Sequence, residues 1–366
     1  MVTLLLCGDV MTGRGVDQIL PNPSGPRLAE PSVLDARTYV ELAEAVNGPI
    51  PRPVAFSYVW GDALAESTWR HADVRIVNLE TSVTRRRQRW PGKAVHYRMH
   101  PENVPCLTVA RIDVCVLANN HVLDQGRPGL LETLEALGAA GMRVTGAGRD
   151  LAEARRPAVV DLATGGRVVV VAFGMESSGI PPSWAAAADR PGVDLVRPTE
   201  EAAADVAGRV LGEKRPGDVA VASVHWGTNW GYGVPPEHVR FAHRLIEAGV
   251  DVVHGHSSHH VRPIEVYRDR LVLYGCGDFI DDYEGISGYE EYRADLVLAY
   301  VATLEPSGAL AGLRMRPLRM RRMRLERAGR DDAGWLATTL SRIGEEFGSR
   351  FVLTDDGALT LHQGGR

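Results

Sequence analysis

Six short apolar runs punctuate this chain, and each ends on residue types that bind divalent metals. Residues 4–7 lead into Gly8-Asp9, 76–77 into Asn78-Leu79-Glu80, and 114–118 into Asn119-Asn120-His121. Residues 219–224 lead into His225, 252–253 into His254-Gly255-His256, and 271–274 into Gly275-Cys276-Gly277-Asp278. Unbroken apolar runs of this length predict strands buried on both faces, and in open α/β sheets ligands collect beyond the carboxyl ends of such strands. The pattern predicts an α/β fold whose carboxylates, amides and imidazoles converge at one sheet edge.

Between these runs the periodicity changes. Leu130, Leu131, Leu134 and Leu137 recur at helical spacing after the third run, which puts Asn120 and His121 between a strand and a helix. Residues 61–71, 199–212, 235–247 and 331–347 also predict helices, while 159–162 with 167–173 predicts a hairpin and 354–357 a hairpin turn. The proline-rich stretch 13–60 reads as an irregular binding loop or lid. The arginine-rich stretch 313–327 reads as a half-buried edge strand rather than a nucleic-acid patch, because no aromatic residue interleaves the arginines. Residues 1–305 are expected to form one domain, with 306–366 as an extension packed on it.

Composition narrows the class. With 45% hydrophobic and 24% charged residues, the 366-residue chain can build a sizeable core, and a net charge of -5 argues against a nucleic-acid or anionic-membrane binder. Its four cysteines include no CxxC pair and read as buried thiols of a reducing compartment. The first apolar run is too short for a secretory signal or a membrane anchor, so a cytoplasmic protein is expected.

The donor set limits the metal. Imidazole, carboxylate and amide oxygen without thiolate suit manganese, iron or zinc. Asp9, Glu80, Asn120, His225, His256 and His259 would supply enough ligands for one or two ions, and an activated water between two ions would make the site hydrolytic.

At these residues the chain resembles the CapA family of poly-γ-glutamate capsule-synthesis proteins, related to the calcineurin-like metallophosphoesterases. The resemblance rests on GDVMTGR at 8–14, NLETSVT at 78–84, LANNHVLDQG at 117–126, GAGRDLAEARRPAVV at 146–160, HWGTNWGY at 225–232, GHSSHHVRPIEVY at 255–267 and LYGCGDF at 273–279. It implies a layered α/β/β/α sandwich with the metal site at the strand ends. It also implies metal binding by Asp9, Glu80, Asn120, His225, His256 and His259, proton donation by His121, and an orienting role for Asp124. Asn78, Arg98, Trp226, Asn229 and Trp230 are the candidates for touching substrate.

Two departures matter. Met11 stands where the wider superfamily carries a metal histidine, so one ion should be held more weakly unless His254 or His260 substitutes. Gly255-His256-Ser257-Ser258-His259-His260 replaces the usual paired-histidine stretch, which leaves open which of these imidazoles bind metal. The implied activity is a metallohydrolase using a metal-bound hydroxide on a γ-glutamyl, other amide or phosphoester bond, with a small molecule or γ-glutamyl polymer as substrate. The alternative is a non-catalytic accessory protein of a capsule-polymer assembly. Self-association into a homo-oligomer is left open.

Overall fold

The computed structural model describes residues 1–362, and two sheets stack at its centre. In the first, Val2–Val10, Val74–Leu79, Val114–Val116 and Arg143–Thr145 run parallel in that order. Leu296–Leu304 and Leu310–Met320 extend it antiparallel on the other side of Val2–Val10, followed by the hairpin Arg350–Leu353 and Leu359–His362. In the second sheet Arg167–Gly174, Val219–His225, Val252–His256 and Arg270–Leu273 run parallel, flanked by antiparallel Ala158–Asp161 and Ile264–Tyr267.

Side chains alternate across a strand, so each sheet has two faces to bury. Leu4, Leu6, Ile76 and Val116 meet Val168, Val170, Val221 and Val252 in the core between the sheets. Leu5, Cys7 and Val77 face the other way, against Val40 of helix Arg37–Asn47 and Leu130 and Leu134 of helix Gly126–Ala139. On the second sheet Val169, Val171 and Ala220 cover Val206 of helix Glu200–Glu213 and Phe241 and Leu245 of helix Pro236–Glu247. The result is a layered α/β/β/α sandwich, which explains why the runs are apolar at every position rather than at alternate ones. Among the described residues no helix is long and apolar enough to cross a membrane.

Three sequence expectations need correction. The strand ends converge from two sheets rather than on one edge: the first three runs belong to the first sheet, the fourth and fifth to the second. The stretch 13–60 contains helices Arg14–Ile19 and Arg37–Asn47, the second burying Tyr39, Val40 and Ala43 along one face that the surrounding prolines obscure. The arginine-rich stretch is two strands: Leu310–Met320 is interior, paired on both sides, and after a turn Leu325–Arg327 pairs back on it. Its arginines are matched by carboxylates, including Arg316 with Glu66, Arg319 with Asp295 and Arg324 with Asp62.

The sixth run crosses between the sheets. Arg270–Leu273 ends in the second sheet, and after Gly275–Gly277 the chain enters the first, where Asp278–Ile280 pairs in parallel with the end of Val2–Val10. This crossing passes so close to Gly8 that a β-carbon there would stand 1.7 Å from the Gly277 carbonyl oxygen. Gly8→Ala should therefore lower the unfolding free energy by about 3 kcal/mol or more, since overpacking against backbone cannot relax by a rotamer change. Gly334 lies in helix Arg330–Ile343 with open space around its missing side chain, so Gly334→Ala should raise stability by about 0.4–1 kcal/mol. Urea titrations of both variants check the pair.

Candidate metal centre

Strand register places the acidic half of the site. Asp9, at the end of the first strand, pairs laterally with Asn78 on one side and Asp278 on the other, and all three are fully buried. Asn78 Nδ2 donates to Asp9 Oδ1 at 2.8 Å and approaches Glu80 Oε2 at 3.2 Å. Asn119 in turn donates to Asn78 Oδ1 at 3.0 Å, which fixes the amide's orientation.

The second sheet supplies the imidazoles. His225 and His256 are register partners, and their Nδ1 atoms face each other 2.8 Å apart. Asn120 Oδ1 lies 3.2 Å from His225 Nε2, and His256 Nδ1 lies 3.8 Å from Asp9 Oδ1. The ligand atoms of Asp9, His225 and His256 form one compact group, and those of Asp9, His259 and Asp278 form a second. Asp9 belongs to both, the arrangement a carboxylate needs to bridge two ions.

The electrostatics fit cations. Burial, then the Asp278 charge, raises the Asp9 carboxyl to about 7. Burial, then Asp9, drives Glu80 well above the carboxylate range, and burial raises Asp278 as well. Asp278 Oδ2 is buried with no hydrogen-bond partner, an orphaned acceptor that a divalent ion would satisfy. Burial pushes His225 and His256 far below the usual imidazole range, so both are neutral with lone pairs available, the form in which histidine binds metal.

Beside this cluster stands a chain of proton-handling groups. His121 Nδ1 lies 2.6 Å from Asp124 Oδ2, leaving Nε2 directed toward Glu80 Oε1 at 3.8 Å. Lys93 pairs with Asp124 and brings its ammonium within 2.8 Å of His121 Nδ1. Burial and then Lys93 lower His121 to about 4, so the imidazole is neutral at pH 7. Against the cost of burial, Lys93 and His121 together hold Asp124 ionised.

The pattern of the family described as bacterial capsule synthesis protein PGA_cap matches residues 3–283. The chain belongs to this family. Among relatives, a probable polyglutamine synthesis accessory protein of Mycobacterium tuberculosis is 54% identical over 364 residues, covering 99% of this chain and 96% of that protein. The PGA biosynthesis protein CapA of Bacillus subtilis is 27% identical over 237 residues, 64% of this chain and 59% of that protein. A 5'-nucleotidase precursor from Thermus thermophilus overlays on 87% of this chain and 54% of its own, at a TM-score of 0.48 and 16% identity, too distant to carry an argument about chemistry.

Other expected site residues of this capsule synthesis family member fall into distinct surroundings. Asn229 and Trp230 line a cavity of about 500 Å³ that reaches His259, with Asn229 Nδ2 lying 3.0 Å from His259 Nε2. Asn78 sits within the ligand cluster, where its amide bridges two carboxylates instead of facing substrate. Trp226 is a core residue: it is 2% exposed, stacks on His238 and donates to the Tyr274 carbonyl at 2.9 Å. Arg98 faces a second cleft, which it lines together with Arg14 and Arg87. The polar pattern around Trp226 misleads because an indole buries its ring and needs only one acceptor.

Asp278 is the ligand candidate that sequence reasoning passed over. It stood in view at the end of the sixth run, but the sheet crossing that brings it beside Asp9 has no local signature. Neither His254 nor His260 takes the place of a histidine at 11. His254 Nε2 is 2.9 Å from the Cys7 carbonyl and its Nδ1 is 3.0 Å from Ser223 Oγ, which also touches His256 Nε2. His260 Nδ1 faces the Val261 carbonyl, with the ring stacked on Tyr292. Met11 is buried, and Tyr283 donates its hydroxyl to the Met11 sulfur at 3.7 Å.

Asp278→Ala should abolish one manganese site in calorimetric titration while leaving the other, whereas Met11→His should change affinity far less; the reverse order would show that Asp278 is not a ligand. Metal-free protein should also lose the Asp9 contribution to its stability as pH rises from the ordinary value of 3.8 through about 7. An acid raised on folding stabilises the fold while protonated and loses that contribution as pH climbs through its folded value, about 7 for Asp9. Below about 6.5 the depressed histidines oppose this trend, because their unfolded forms take up protons. Thermal melts with and without manganese check the slope, which bound metal should flatten.

Proposed function

We propose that this protein is a metal-dependent hydrolase, holding one or two manganese, iron or zinc ions. Its proposed target is a γ-glutamyl, other amide or phosphoester bond, in the making of poly-γ-glutamate or a related metabolite. The observation that carries this reading is Asp9, shared by two ligand groups beside a His121–Asp124–Lys93 chain. When bound, the ions supply Lewis acidity and lower the pKa of water. Asp9, Glu80 and Asp278 offer the compensating negative charge, while Asn120, His225, His256 and His259 complete the donor set.

His121 is the proposed proton carrier. Asp124 holds its Nδ1, so proton exchange happens at Nε2, on the side of the ligand cluster. Because the imidazole rests neutral, the proton it passes to a leaving group is one it first takes up at Nε2 during the reaction. Asn229, Trp230 and His259 give the adjoining cavity its polar and aromatic wall, with Tyr289 stacked on Trp230 and Tyr283 against His259. That cavity is the proposed substrate entry.

One observation favours a second reading, a non-catalytic accessory role: the Mycobacterium tuberculosis relative is described as an accessory protein. Turnover separates the two. Manganese-loaded protein should hydrolyse a chromogenic phosphodiester or a γ-glutamyl anilide, and His121→Gln should lower the rate about 10²–10⁴-fold with metal content unchanged. His225→Ala should instead lose metal. Absence of turnover on both substrates in fully loaded protein would reject the hydrolase in favour of the accessory role.

A further inference from the structure

A second cleft, about 660 Å³ in volume, is connected to His121 through the side chains of Arg14 and Tyr97. Arg14 lines it and packs over the ring of Tyr97, which also meets the His121 ring in a T-shaped contact, 4.6 Å between centroids. The cleft is lined by Arg27, Arg87, Arg89 and Arg98 in addition to Arg14, with Asp35 as its one carboxylate. Arg14 and Asp35 already have partners: Arg14 is bound by Glu30 and Asp282, and Asp35 by Arg37.

The other four guanidiniums have no ion-pair partner among the described residues. Among the described residues none of Arg27, Arg87, Arg89 and Arg98 has a carboxylate within ion-pair distance. Instead Arg98 donates to the carbonyls of Arg86 at 3.0 Å and Gly25 at 2.9 Å, and Arg89 donates to the Arg27 carbonyl at 2.7 Å. Arg87 Nη2 lies 3.2 Å from where a β-carbon on Gly25 would stand, so three guanidiniums gather on the segment 25–27. Burial pushes Arg98 below its ordinary value, opposed by the Asp17 carboxylate and reinforced by the charges of Arg87 and Arg89. His96, 5% exposed, also lines the cleft and has an Nδ1 without a partner.

This clustering runs against the rest of the molecule. The chain carries 41 basic and 46 acidic residues, and even the arginines of its stretch 313–327 are matched by carboxylates. Backbone carbonyls hold Arg89 and Arg98 in place without neutralising them. A guanidinium with free donors is suited to carboxylate or phosphate oxygens, and the volume is that of a ligand larger than one oxyanion.

We propose that this cleft binds an anion carrying several negative charges, a polycarboxylate or polyphosphate, through Arg27, Arg87, Arg89 and Arg98. The inference is independent of hydrolysis, because binding here needs neither the metal ligands nor His121. The test is calorimetric titration of the whole chain at low salt with a γ-linked tetraglutamate and, separately, with tripolyphosphate; the probe that binds identifies the source of the charge. At least one should bind with equal affinity to metal-loaded and metal-stripped protein. Arg87→Gln and Arg89→Gln should each weaken it about tenfold or more at unchanged melting temperature, since each removes a charge-assisted contact. Arg197→Gln, remote from the cleft and exposed, should leave it unchanged. No binding of either probe, binding that vanishes on metal removal, or equal loss in all three variants would overturn the proposal.

Discussion

Mutual repulsion among buried carboxylates is the constraint around which this molecule is arranged. Asp9, Glu80 and Asp278 are each at most 1% exposed, and beyond burial Asp278 raises the proton affinity of Asp9 while both raise that of Glu80. Burying three such groups together is costly unless cations or protons balance them. Lys93 is committed to Asp124, and the nearest imidazoles are neutral, apart from His259, whose proton Asp278 and Asp9 stabilise against the cost of burial. The fold therefore gathers carboxyl groups that hold protons when no cation is present, faced by the neutral nitrogen donors of His225 and His256, an arrangement suited to a divalent ion.

Both sheets are needed to build that pocket. The first contributes oxygen donors from neighbouring parallel strands, and the second contributes His225 and His256 from adjacent strands in register. The two sets meet because the core between the sheets is made of small and medium aliphatic side chains, and because Gly8 and Gly277 let the chain pass from one sheet to the other at close quarters. Ser223 and His254 then support His256 from behind, and Asn119 supports Asn78. Such outer contacts orient ligands before an ion arrives.

Much of this was legible in the residues themselves. Runs apolar at every position announced strands buried on both faces, and the donor residues at their ends announced the site, because a strand's end is fixed by where its apolar run stops. Pairing across space was not legible. Asp278 gained its place only through the sheet crossing, Lys93 through a loop that folds back onto Asp124, and Trp226 lost its expected role because its ring faces the helices of the outer layer. The helix at Arg37–Asn47 was hidden for a related reason: its buried face is short and lies between prolines that dominate the local pattern.

Membership of the capsule synthesis family sets the biological frame, and the shared position of Asp9 sets the chemical claim that this frame must accommodate. The most direct measurement is anomalous diffraction at the manganese edge from crystals of the metal-loaded protein. Two peaks about 3.5–4 Å apart, one on either side of the Asp9 carboxylate, are predicted for a bridged pair. Peaks remote from Asp9, or no ordered peak in protein saturated with manganese, would contradict a centre organised around that residue.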